Sequence, residues 1–420
     1  MPLKLDFENS LLDFYLVDKA FQENKDYFEM LKSKIGKECT DEYCFLNIPS
    51  QKRFLKECSK LNEELDNDIL IVIGIGGSSL GAKAAYQAVA GRYANILEKK
   101  KILFADASDP VLLNKILKLA NLYQKNKKRI TIAFISKTSA TLESIINFNF
   151  LYNNFKNKKA IDFVFICNET LEKNFTNFKD VKFLAIPTKL VGRYSVFSSV
   201  GLFALSFSTL DVKKFLEGAA AANQYILNQK SQREIFSYAY FLYSNYPQKK
   251  IFVNFSFSSS FVEYNNWLAQ LIAESISKNG IGLTPYPSIG PNDLHSLAQL
   301  YLDGPKDKIF NFLSIENFDE KQASFKFKPT NILDDSILNK KNFGFVYNAL
   351  VDGVKNAFKN SGLAFISSKI EKLNEFEVGY LMQFNMINTV LVAKLFNVNP
   401  FDQPAVENYK REVKNLLLAK

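Results

Sequence analysis

The segment Ile69-Leu70-Ile71-Val72-Ile73-Gly74-Ile75-Gly76-Gly77-Ser78-Ser79-Leu80-Gly81-Ala82-Lys83-Ala84-Ala85 decides the fold class. Its opening run of aliphatic residues suits a strand covered on both faces, as in a parallel sheet, rather than one that turns a polar face to water. The glycines end that run, and the small residues after them, through Ala90, follow a helical pattern. Outward along the chain, Ile102 to Ala105, Ile130 to Ile135, Phe163 to Cys167 and Phe183 to Ile186 repeat the apolar run, with amphipathic segments between them. The alternation predicts a doubly wound α/β domain over approximately residues 45–190.

A second series follows a helical stretch near Val212 to Gln229. Ile251 to Phe255, Ile309 to Leu313 and Ala364 to Ser367 are its strand candidates, and they predict a second α/β domain over residues 210–395. Residues 1–44 read as an N-terminal helical segment. From Glu375 the chain reads as a long helical segment, and residues 396–420 as a C-terminal helix starting near Pro404. The expected architecture is therefore two tandem doubly wound parallel-sheet domains with helical extensions at both ends.

Composition removes several classes of function. With 420 residues, 47% apolar and 23% charged, the chain is neither a disordered polyelectrolyte nor a membrane bundle. Val196 to Leu210, the longest apolar stretch, is interrupted by Ser and Gly and falls short of the ~20 residues that span a bilayer. The N-terminus lacks an apolar export segment, so a cytoplasmic location is expected. His295 is the one histidine, which excludes Cys₂His₂ and His₃ metal sites; no metal and no cofactor are expected. Cys39, Cys44, Cys58 and Cys167 lack the spacing of a disulfide framework and are expected as buried free thiols. The net charge of +10 comes partly from lysine runs, Lys125 to Arg129 and Lys156 to Lys159, which read as solvated loops. No aromatics interleave with them, so nucleic acid is not the expected partner, whereas an anionic small molecule suits the charge.

Two loops carry possible chemistry. Gly74 to Gly81 departs from the dinucleotide fingerprint at Ser79, and from the phosphate-binding P-loop in the residues after Gly81. Taken alone it fits a structural turn as well as a binding loop. Ser136-Lys137-Thr138-Ser139-Ala140-Thr141 lies between a strand and a helix, where hydroxyls and free N–H groups could cradle a phosphate or simply cap the helix. Their joint position at strand ends favours a site.

The ordered set Gly74 to Ser78, Ser136-Lys137-Thr138, Gly192-Arg193-Tyr194-Ser195, Gln270 to Glu274-Ser275, His295-Ser296, and Phe401-Asp402-Gln403 to Glu407 and Lys410 resembles the glucose-6-phosphate isomerase (phosphoglucose isomerase) family. The resemblance covers most of the chain and implies two sugar-isomerase (SIS) domains and cofactor-free interconversion of glucose 6-phosphate and fructose 6-phosphate through a cis-enediol. It implies that Ser136, Lys137, Thr138 and Thr141 cradle the sugar phosphate and that Gly77 and Ser78 adjoin the sugar. Arg193 would stabilise charge on the enediol oxygen, and Glu274 would move the proton between the two carbons. Gln270, four residues earlier on the same helical face, would orient substrate or carboxylate. His295 and Lys410 would open the ring, and the C-terminal helix with Gln403 would complete the site. A homodimer is implied, with His295 delivered across the interface.

Val191, Ala82, Pro404-Ala405 and Pro291 to Leu294 depart from the family pattern but leave every residue with a chemical role in place. A bifunctional enzyme that also accepts mannose 6-phosphate is the nearest alternative, and Gln403 favours the narrower activity. A non-catalytic sugar-phosphate sensor is the alternative of another class, against which Glu274, His295 and Lys410 argue.

Overall fold

The computed structural model describes residues 2–175, 181–318, 324–330 and 332–419. After a short strand β1 (Leu3–Asp6), the chain forms β2 (Ile69–Ile73), β3 (Lys101–Ala105), β4 (Ile130–Ile135), β5 (Ile161–Asn168) and β6 (Val181–Ile186). Strands β2 to β6 make one parallel sheet in the order β3-β2-β4-β5-β6. Every residue of β2 and β4 is buried, as their unbroken apolar runs require. From β2 the chain steps to β3 on one side and then crosses to β4 on the other. At such a reversal a crevice opens outside the carboxyl ends of the strands, here between the loops that follow β2 and β4.

The second sheet contains β7 (Ile251–Ser256), β8 (Thr284–Ile289), β9 (Lys308–Ile315) and β10 (Phe365–Ile370), in the order β1-β10-β9-β7-β8. Its pairs are parallel except β1 with β10. Both domains thus have the expected α/β character, but two strands were not legible in the sequence. In β8, Pro285 and Pro287 interrupt the strand signal, and a sheet tolerates such residues at the edge position that β8 occupies. Strand β1 lies inside the segment expected to be helical and joins the second sheet, while Phe14–Glu23 and Lys25–Lys34 of the same segment are helices.

The helix Glu375–Leu395 is buried from Glu377 to Ala393 and packs against the helices Val212–Ala222 and Val262–Ile276. Helix Val262–Ile276 in turn packs against Leu80–Ala90, which follows the glycine loop of the first sheet. One apolar core therefore runs between the two sheets and fixes the loop of one against the helix of the other.

The cysteines correct the expectation of four free thiols. Cys39 and Cys44 form a disulfide, whereas Cys58 and Cys167 are buried and free. The chain turns into the single-turn helix Glu42–Leu46, whose start is capped by the Asp41 side chain, and this brings the two Cα atoms to 4.6 Å. That separation lies in the range a disulfide needs. Among the described residues no helix is long and apolar enough to cross a membrane, and no group of three metal-ligating side chains occurs.

Candidate active site

Arg193 lies in the single turn Gly192–Tyr194, after β6 and before the helix Ser199–Phe207, and is 2% exposed. Its Nε donates to Ser275 Oγ at 2.8 Å. Nη1 donates to Glu274 Oε2 at 3.2 Å and to Gln403 Oε1 at 2.6 Å, while Nη2 donates to the carbonyls of Pro400 at 2.6 Å and Asp402 at 3.1 Å. These acceptors engage every N–H group that a guanidinium carries. Burying a lone charge costs several kcal/mol, and the cage of one carboxylate and four neutral acceptors offsets that cost while fixing the plane of the group.

Glu274 comes from the helix Val262–Ile276. Gln270 stands one turn earlier, and its Nε2 donates to Glu274 Oε1 at 3.0 Å, so each carboxylate oxygen is held by a separate donor. The Glu274 side chain remains 29% exposed. Each oxygen has a second lone pair, which leaves the carboxylate able to accept a proton. The buried Oε1 of Gln270 has no hydrogen-bond partner among the described residues.

The glycine loop meets this group directly. A Cβ on Gly77 would lie 2.3 Å from the carbonyl carbon of Gly192 and 2.6 Å from the Arg193 nitrogen, so only a residue without a side chain permits the two backbones to touch. Gly76 has φ +57°, and a Cβ there would lie 2.8 Å from Gln270 Nε2. Ser78 continues the same turn, its N–H bonded to the Ile75 carbonyl.

Because β2 pairs with β4, the loop at 136–141 is next to the glycine loop at the same sheet edge. Ser136 is buried, and its hydroxyl donates to Thr141 Oγ1 at 3.2 Å. Ser139 adopts φ +53°, and its N–H bonds to the Ser136 carbonyl, closing a tight turn. The N–H groups of Lys137 and Thr138 make no hydrogen bond among the described residues, and Thr138 is exposed. Burial pushes the Lys137 ammonium below the usual lysine pKa. Thr141 then precedes the helix Leu142–Asn154. Open N–H groups at a helix entrance suit an anion.

The chain after the long helix closes the other side. A cavity of about 800 Å³ lies between the end of helix Val262–Ile276 and residues 397–406, with Glu274, Lys278, Asp402 and Gln403 in its lining. The C-terminal helix Val406–Leu418 begins there. Tyr409 on that helix donates to Glu143 Oε1 at 3.5 Å, close to the 136–141 loop. Lys410 Nζ is 2.7 Å from Glu407 Oε1, and that carboxylate holds its pKa above the usual lysine value.

His295 is not brought to this group within one chain. It follows β8 and a short turn that Asp293 pins by accepting hydrogen bonds from Ser288 Oγ at 2.8 Å and the Ile289 N–H at 2.7 Å. The residue is exposed, and its imidazole makes no hydrogen bond or ion pair among the described residues.

Comparison with known proteins places the chain in a family. The profile of the phosphoglucose isomerase family matches residues 63–284. The glucose-6-phosphate isomerase of Mycoplasmopsis synoviae is 32% identical, with 99% of this chain and 98% of that protein aligned. That of Campylobacter jejuni is 33% identical over 83% of this chain and 85% of its own length. The chain belongs to the phosphoglucose isomerase family. In fold, the chain is similar to a hypothetical protein from Thermus thermophilus, with a TM-score of 0.83, 24% identity and 99% of each chain covered. It is also similar in fold to a glucose-6-phosphate isomerase from Chlamydia trachomatis, with a TM-score of 0.77 and 18% identity over 99% of this chain and 88% of that one.

Within this phosphoglucose isomerase family chain, Arg193, Gln270, Glu274 and Gln403 form one hydrogen-bonded group, with Gly77 against it. Ser136 and Thr141 bond to each other in the neighbouring loop, Lys410 stands further along the C-terminal helix, and His295 stands apart. Sequence reasoning missed Lys278. Its Nζ donates to the carbonyls of Glu274 at 3.0 Å and Ser275 at 2.8 Å and to that of Asn399, and lies 3.3 Å from Asp402 Oδ1. Burial pushes its pKa down against the opposing pull of Asp402. Its place four residues after Glu274, where a cation meets the last carbonyls of a helix, was the available signal.

Proposed function

We propose that this site interconverts glucose 6-phosphate and fructose 6-phosphate, with Glu274 as the base that carries the proton through a cis-enediol. The observation that carries the reading is the pairing of Glu274 with a fully caged Arg193 at the sheet edge beside an anion-suited loop. Aldose–ketose exchange removes a proton from one carbon and returns it to the next, which a single carboxylate between them can do. Negative charge that develops on the enediol oxygen is stabilised by the fixed positive charge of the guanidinium, whose N–H groups stay in their cage, so little reorganisation is needed. Gln403, its own oxygen used on Arg193, offers its NH₂ group as a donor to a sugar hydroxyl.

Ser136, Lys137, Thr138 and Thr141 take the phosphate, with Gly77 and Ser78 beside the sugar. The Lys137 and Thr138 N–H groups supply the donors that support this assignment. Lys410, kept protonated by Glu407, and His295 act on the ring oxygen and its hydroxyl. His295 reaches the site from a second copy of the chain, which its exposed position and separation from Glu274 favour. Exposed apolar side chains, including Ile332, Leu333 and Ile337 at 87%, 71% and 72% exposure, offer surface for a homodimer. The oxidation of one carbon balances the reduction of its neighbour, so the reaction calls for no redox cofactor. A charged sugar phosphate does not cross a bilayer unaided, which suits a cytoplasmic enzyme.

The test is Glu274→Gln. Turnover is expected to fall by about 10²- to 10⁴-fold, with fructose 6-phosphate still bound and solvent exchange of the C2 proton of glucose 6-phosphate lost. Exchange at the wild-type rate would remove Glu274 from the role of base.

A further inference from the structure

We infer that Lys278 is a positioning residue, one that clamps the end of the Glu274 helix to the Asn399–Asp402 segment and thereby holds the acceptors that aim Arg193. The inference rests on the proposed role of Arg193 in stabilising the enediolate. Lys278 lies just beyond the helix Val262–Ile276, and its side chain is 10% exposed. The carbonyls of Glu274 and Ser275 that it bonds are groups that a helix end leaves unsatisfied. Its other partners, the Asn399 carbonyl and the Asp402 carboxylate, belong to the segment opposite.

That segment also supplies three of the five acceptors of the Arg193 cage. Pro400 and Asp402 give their carbonyls to Nη2, and Gln403 gives its side-chain oxygen to Nη1. Asp402 therefore joins both cations, its carboxylate paired with Lys278 and its backbone carbonyl bonded to Arg193. Without the ammonium, the segment stays linked to the helix that carries Glu274 only through Arg193 itself and loses the direct link made by Lys278. The spacing between the guanidinium and the carboxylate is then no longer fixed from both sides. Lys278 itself needs no contact with substrate for this effect.

A double-mutant cycle tests it, with kcat and KM for fructose 6-phosphate and the Tm measured for Lys278→Met, Arg193→Gln and the double variant. Lys278→Met is expected to lower kcat by about 100-fold, the scale of a 1 Å misplacement, with KM changed little. In the Arg193→Gln background the same substitution is expected to change kcat by less than about twofold, because the clamp then has no guanidinium to aim. Equal losses in both backgrounds, or an unchanged kcat in Lys278→Met, would overturn the inference. A wild-type kcat in Arg193→Gln would instead overturn the proposed role of Arg193, so the two failures are distinct. Asp402→Asn, which keeps the backbone carbonyl but removes the charge that pairs with Lys278, carries the same cycle if Lys278→Met does not fold. Its kcat loss should likewise vanish in the Arg193→Gln background, and its persistence there would count against the clamp.

Discussion

Arg193 and Lys410, the two cations assigned to the reaction, have opposite surroundings. Arg193 is 2% exposed and tied to five acceptors drawn from two segments of the chain. Lys410 lies on a helix with no buried residue, and its carboxylate partner Glu407 is on the same helix. The contrast extends to their proposed partners in the chemistry, because Glu274 is hydrogen-bonded to the Arg193 group, whereas the His295 imidazole, just after the turn that follows edge strand β8, makes no hydrogen bond or ion pair among the described residues. In our account, proton transfer uses machinery built in advance inside one chain. Ring opening uses groups that a second chain and the bound sugar bring together.

The largest expected effect comes from dividing the two halves between chains. Co-expressed Glu274→Gln and His295→Ala chains, each inactive by about 100-fold or more alone, should form mixed dimers with one site intact in both residues. Activity in the mixture should return to roughly a quarter of wild type, as random pairing of two chains allows. Failure to recover above the parents would place His295 in its own chain's site or outside the reaction.

Gly77→Ala probes the half inside one chain. Its Cβ would collide with the Gly192 and Arg193 backbone, so the glycine loop must move away from the guanidinium. A loss of about 1–3 kcal/mol in stability is expected from such overpacking, with kcat/KM lower by about 10- to 100-fold. Wild-type kcat/KM in a folded Gly77→Ala protein would show that the contact of the two loops is not part of the catalytic geometry.

Glu377 provides the smallest effect and touches neither half. It is 6% exposed, and burial, with Glu371 adding to it, pushes its carboxyl from 4.5 up to about 7. The folded state therefore holds a proton that the unfolded chain releases at lower pH. Stability from this group is fully present below pH 4.5 and lost as the pH rises through about 7. Glu377→Gln should flatten the Tm profile across that window and leave kcat unchanged. An unaltered profile would assign the pH dependence to other groups.

Much of the fold was legible because β2 and β4 are covered on both faces, and such strands appear as unbroken apolar runs. Strand β8 was not, because its prolines suit an edge and interrupt the pattern used to find strands. The Cys39–Cys44 pairing depends on the direction of a turn, which spacing alone does not give. In the site, Gln270 and Glu274 were legible as a pair because helix periodicity sets them on one face, and they are hydrogen-bonded. The carbonyls of Pro400 and Asp402 were not, since every residue has a carbonyl and its aim depends on the folded segment. Lys278 went unnoticed for a related reason, as most of its partners are backbone atoms.

The most direct test of the division between prebuilt proton transfer and assembled ring opening uses a substrate with no ring to open. A four-carbon aldose 4-phosphate cannot close into a five- or six-membered ring, because its terminal hydroxyl is esterified. In deuterium oxide, exchange of its C2 proton followed by NMR should proceed at close to the wild-type rate in His295→Ala and Lys410→Ala and be lost in Glu274→Gln. Exchange that persists in Glu274→Gln, or that disappears in His295→Ala, would contradict the account.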